Sequence, residues 1–177
     1  MVSHNGYGDP EALGVQEPED ILSPQHYAAV RNGGRLMRAL PLWCYTSERF
    51  HQAEKDSVFL RRWNMLEREE VVPNVGDFHC MSFLDVPLLV VRGNDRKVRV
   101  FANTCRHRGA LAVEGSGNCK ALRCRYHFWT YGLDGHFNGA PNYKDPDGNA
   151  LIDETNQDEF GLVQLGAKRA WRATPSA

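Results

Sequence analysis

Two cysteines and two histidines, Cys105, His107, Cys124 and His127, carry the most legible chemistry in this chain. They form two matched pairs: Cys105 and His107 stand one residue apart, sixteen residues follow, and Cys124 and His127 stand two residues apart. A Cys and a His that close together on a turn can point at one small volume, and two such turns on a rigid sheet can enclose a metal. Two kinds of centre use this donor set. In a mixed-ligand 2Fe-2S cluster, two thiolates hold one iron and two neutral imidazoles hold the other. Structural zinc also takes two Cys and two His, in a tetrahedron. Zinc fingers usually pair Cys with Cys and His with His, whereas each loop here offers one of each, which suits two irons bridged by sulfide. On that reading Cys105 and Cys124 hold the first iron, and His107 and His127 the second.

Thiolate ligands lower a reduction potential and neutral imidazoles raise it, so the mixed set gives an intermediate value. The outward ring nitrogens can carry protons, and one-electron transfer at an exposed loop tip is the natural task. Gly109, Gly132 and Gly135 permit tight turns, and Phe128, Trp129 and Tyr131 are expected to wall the cluster from water. Cys44, Cys80 and Cys119 make the Cys count odd, indicate no disulfide framework, and are expected as reduced, packed thiols.

The elements that must position these loops are mainly strands. Alternating and short apolar runs predict strands over 78–84, 88–91 and 97–101, with Val98 and Val100 on the buried face of the third. Gly93-Asn94-Asp95 and Asp134-Gly135 read as hairpin turns. A last strand is expected at 160–165. Upstream, Ser23-Pro24 predicts a short helix near 24–32 stopped by Gly33-Gly34, and Thr46 or Ser47 caps a longer helix over 47–64 with Phe50, Ala53 and Leu60 on one face. Residues 1–22 read as an arm. Many short strands between turns suggest a mainly β protein, an antiparallel sandwich or barrel with both ligand loops at one tip.

The chain has 177 residues, a formal net charge of -1 and 24% charged side chains, the profile of a soluble globular protein with one ordinary domain plus extensions. No signal peptide or membrane-length apolar run is read, and the cytoplasm is the expected location. Between Arg92 and Arg125 nine Lys or Arg face only two acids, which predicts a basic collar that steers an acidic redox partner. Nucleic acid is not an expected partner.

The segments FANTCRHRGA and CRYHFWTYGLDG resemble the Rieske domain at the N-terminal end of the large (alpha) subunit of Rieske non-haem iron ring-hydroxylating oxygenases. The likeness runs from about Leu40 to Leu165, with the helix and strand before the cluster included. It implies a Rieske fold, a [2Fe-2S] cluster on Cys105, His107, Cys124 and His127, and electrons supplied by a ferredoxin or a flavin or NAD(P)H reductase. The expected organisation is an arm with a short helix at 1–39, a Rieske domain at 40–165 and a tail at 166–177. The family's catalytic domain, a mononuclear iron held by two His and a carboxylate, is not expected within these residues, so the chain alone should transfer electrons without hydroxylating a ring. The catalytic iron would then lie on another chain. The alternatives are a structural zinc protein or a non-functional truncated fragment. Two departures stand out: Arg125 occupies a position usually held by proline, and Phe128 one where many relatives have glycine. Trp129 stands where respiratory Rieske proteins often place a serine.

Overall fold

The computed structural model describes residues 16–31, 39–141 and 143–166. The chain divides into two compact units, Met1–Asn64 and Met65–Ala177.

In the first unit a 3-10 turn, Pro24–Tyr27, runs into α1, Ala28–Arg31, and the expected Gly33-Gly34 stop lies outside the described residues. A second 3-10 turn, Leu42–Tyr45, leads to α2, Glu48–Ser57. Ser47 caps α2 by accepting a hydrogen bond from the Phe50 amide at 2.9 Å. The helix is shorter than the expected 47–64: after Val58 the backbone tightens into a 3-10 turn at Phe59–Arg61, and Leu60 faces solvent. Phe50 and Ala53 do share a face. They pack on Ile21, Trp43 and Cys44, and Trp43 meets Phe50 edge-on at 5.7 Å. The end of the expected arm is therefore part of this core. Ile21 is buried, and Arg49 pairs with Glu17 at 2.9 Å and donates to the Glu19 carbonyl at 2.7 Å.

The second unit contains two antiparallel sheets. β1 (Asp77–Phe83), β2 (Val86–Arg92), β3 (Val98–Ala102) and β4 (Ser116–Asn118) form one sheet in the order β3-β2-β1-β4. β5 (Leu122–Arg123), β6 (Thr130–Tyr131) and β7 (Phe137–Gly139) form the other in sequence order. β1 ends at Phe83, one residue before the expected limit, because Leu84 and Asp85 adopt positive φ of 50° and 66° and make a two-residue turn to Val86.

The register places Phe78, Cys80, Leu89, Val91 and Phe101 on one face, which packs on Leu122, Trp129, Tyr131, Leu133 and Phe137 from the second sheet. This corrects the expected facing of β3. Phe101 is the fully buried residue, Val98 and Val100 are half-buried, and Arg99, opposite Val91 and so in the core-side register, pairs with Asp95 at 2.8 Å. No full strand forms at 160–165: Gln157–Phe160 is a 3-10 turn, and Gln164 makes a single bridge to Phe101 at the β3 edge. Two hydrogen bonds, Ala102 N–H to Val163 and Leu165 N–H to Val100, cover that edge.

Gly135 shows how tightly the sheets meet. Its φ is +86°, and a Cβ there would overlap the Phe101 ring. Gly135→Ala should destabilise the second unit by about 2–4 kcal/mol, combining a left-handed Ala with overpacking. Urea titration followed by circular dichroism measures this, and an unchanged midpoint would contradict the packing described.

Candidate metal centre

Cys105 follows β3 by two residues, and Cys124 directly follows β5, so each loop leaves the end of a strand. Both loops close in the same way. The Cys105 carbonyl accepts from Gly109 N–H at 3.0 Å and the Cys105 amide donates to Ala110 at 2.7 Å; the Cys124 carbonyl accepts from Phe128 N–H at 3.0 Å and its amide donates to Trp129 at 2.9 Å. Asn103 braces the first loop from below. Its buried amide accepts from Ala112 and Val113 N–H at 3.1 and 3.2 Å and donates to the Val113 carbonyl at 2.9 Å. The sequence reading passed over Asn103, although a polar residue at a strand end just before Cys105 is the signal that a loop needs internal hydrogen bonds.

The candidate donors come together in two pairs, sorted by kind. The Cys105 and Cys124 side chains are buried, and the Cys124 thiol lies near enough to Cys105 to affect its ionisation. The imidazoles are half-exposed, with His107 Nδ1 and His127 Nδ1 only 3.1 Å apart. Nδ1 is therefore the atom each ring turns into the shared volume, leaving Nε2 to the outer side. Among the described residues no three His, Cys, Asp or Glu are grouped to hold one metal ion. Two donors of each kind suit two irons with two protein ligands apiece, whereas zinc needs all four around one point.

Electrostatics prepare the donors. Burial raises the Cys105 thiol pKa, and the Tyr131 hydrogen bond opposes that rise. Burial, then the neighbouring His127 and Arg108, lowers the His107 pKa, which favours the neutral imidazole that can bind a metal. Tyr131 is fully buried and held protonated by burial and by the nearby thiol. Its hydroxyl oxygen accepts from Arg106 N–H at 3.0 Å, so its own proton is free to point at Cys105 Sγ, 3.1 Å away. With Cys105 as a ligand of a redox centre, Tyr131→Phe would remove a donor to a sulfur that would carry more negative charge in the reduced state. The reduction potential should fall by roughly tens of mV, a fraction of one charged hydrogen bond. Voltammetry on a film of the protein tests this, and an unchanged potential would contradict the assigned donor.

The aromatic wall is only partly as expected. Trp129 is buried and stacks on His107, with centroids 4.8 Å apart and planes at 14°, and Tyr143 approaches the same imidazole edge-on. Phe128 does not join the wall: it is 44% exposed and turned outward at φ +62°. Tyr126, also exposed, lies against His127 at 3.9 Å. The basic collar also divides. Arg92, Arg96, Lys97 and Arg99 sit at the β2–β3 turn, roughly 20 Å of strand away from Cys105. Arg92 is paired with Glu69 at 2.9 Å. Arg106, Arg108, Arg123 and Arg125 remain in and beside the ligand loops, with Arg125 reaching Glu114 at 3.7 Å.

This geometry defines a protein with paired Cys–His loops leaving the strand ends of two antiparallel sheets, and comparison with known families gives that class its name. Residues 62–155 match the Rieske [2Fe-2S] domain, and the chain belongs to that family. Its cofactor is a Rieske-type [2Fe-2S] cluster, and the zinc alternative is set aside. Biphenyl dioxygenase subunit alpha of Metapseudomonas furukawaii is 36% identical over 132 residues, 73% of this chain and 28% of that protein. The large oxygenase component of the naphthalene 1,2-dioxygenase system of Pseudomonas aeruginosa is 35% identical over 105 residues, 59% of this chain and 23% of that protein. Among solved structures, naphthalene 1,2-dioxygenase with indole bound superposes with a TM-score of 0.62 at 32% identity, covering 71% of this chain and 27% of that one. A quaternary ammonium Rieske monooxygenase gives 0.61 at 28% identity, covering 71% of this chain and 33% of that one. The chain thus spans about a quarter of the length of the curated relatives it matches. Among the described residues no helix is long and apolar enough to cross a membrane.

Proposed function

We propose that this chain is the electron-entry part of a ring-hydroxylating oxygenase system, with Cys105 and Cys124 ligating one iron and His107 and His127 the other. The observation that carries the assignment is the sorting of donors: two buried thiols, and two half-exposed imidazoles whose Nδ1 atoms lie 3.1 Å apart. When bound, the cluster supplies reversible one-electron storage. The protein's own residues do the rest. Tyr131 directs its proton to Cys105 Sγ, Asn103 fixes the first loop, Trp129 shields one face of His107, and each Nε2 can hold a proton on the outer side. Electrons come from a ferredoxin or a flavin or NAD(P)H reductase, attracted by the loop arginines, and pass to a non-haem iron site on another domain or chain.

Anaerobic preparation, followed by iron and acid-labile sulfide counts and a dithionite titration, tests the reading. About two irons and two sulfides per chain, taking up about one electron, are expected. Oxidation of a pre-reduced small ferredoxin on mixing would then support the donor. A zinc-loaded chain that takes up no electron would overturn the proposal.

A further inference from the structure

The two ligand loops share one backbone design, and the second meets it with an unusual residue. In each loop the residue four after the Cys closes the turn and lies in the left-handed region, at φ +75° for Gly109 and +62° for Phe128. Glycine adopts that conformation freely; an aromatic L-residue is strained there. Burial does not hold Phe128 in place, since the residue is 44% exposed. Two contacts do. The Arg123 guanidinium lies 4.4 Å from the centre of the Phe128 ring, and Thr130 Oγ1 donates to the Phe128 carbonyl at 3.0 Å. Arg123 and Thr130 are themselves cross-strand partners, Arg123 in β5 and Thr130 in β6. Arg123 directly precedes Cys124 and Phe128 directly follows His127, so the stack joins the two ends of the loop that carries one thiol and one imidazole.

We infer that the Arg123–Phe128 stack is a latch that holds the second loop closed and so fixes His127, an inference that rests on the ligand assignment proposed above. Both are positioning residues. The latch is needed because residue 128 is not glycine. Once glycine stands there, the loop closes without strain and Arg123 loses its role. The two sites must therefore be coupled.

The test uses the full chain as wild type, Arg123→Ala, Phe128→Gly and the double variant, with Phe128→Tyr as the ring-preserving control. Two quantities are read: deuterium uptake by peptides spanning 124–129, and the rate of visible bleaching under an iron chelator. In wild type and in Phe128→Tyr, removing the Arg123 side chain should raise both rates about two- to fivefold, the worth of an exposed cation–π contact. In the Phe128→Gly background the same change should have no effect. Equal acceleration in both backgrounds, or none in wild type, would overturn the latch. A wild-type chain that never takes up iron would instead count against the ligand assignment, and deuterium uptake would still score the latch.

Discussion

Replacing Cys124 with serine is expected to yield a folded but colourless chain whose iron content falls from about two per chain to almost none. Cys124 is buried directly after β5, with its thiol turned toward the Leu111 carbonyl at 3.7 Å and its neighbour Cys105 beside it. A serine hydroxyl fits the space but is neither a soft donor nor readily deprotonated, so one iron keeps a single strong protein ligand. Cys80→Ser and Cys119→Ser are the controls. Cys80 lies on β1 and touches Asn103 and Val113 below the loops, while Cys119 follows β4, and both should keep the wild-type iron content. If the Cys124→Ser chain retains two irons and an unchanged visible spectrum, the assigned ligand set is wrong.

Trp129→Ala should cost about 3–5 kcal/mol, as large aromatic truncations in a core do. The indole is buried and touches Phe137, Tyr143 and Phe160 edge-on at 5.2, 5.4 and 5.8 Å while stacking on His107. Its removal leaves a gap that neighbours on separate elements cannot close together. The gap opens beside His107, so water reaches the tip and the cluster bleaches faster in air. Phe in place of Trp keeps one ring against His107 and should lose much less. Denaturant unfolding followed by circular dichroism gives the stability change, and a loss below about 1 kcal/mol on Trp129→Ala would contradict the packing role.

The two Cys–His pairs stand out in the sequence as candidate donors because their spacing is local, and the structure brings the two imidazoles within 3.1 Å of each other. The two hairpins were legible for the same reason. What escaped depends on contacts distant in sequence. β4, Ser116-Gly117-Asn118, has no apolar alternation and exists because β1 offers it an edge. The facing of β3 is set by what covers each side of the sheet, and Phe101 fills the inter-sheet core while Val98 and Val100 do not. The Leu84-Asp85 turn lacks glycine, so its left-handed backbone had no compositional mark. The basic run reads as one patch along the chain, but β3 carries its first half away from the metal loops. Phe128 was noted as a departure from glycine; only the structure shows that the departure falls at a positive φ.

The most direct test of the central claim is pulsed EPR on the dithionite-reduced chain, prepared once with natural-abundance histidine and once with nitrogen-15 histidine. Two imidazole nitrogens coupled to the reduced cluster, both shifting with the label and reduced in number in His107→Ala and in His127→Ala, are the predicted result. A reduced iron-sulfur signal with no label-sensitive nitrogen would contradict it.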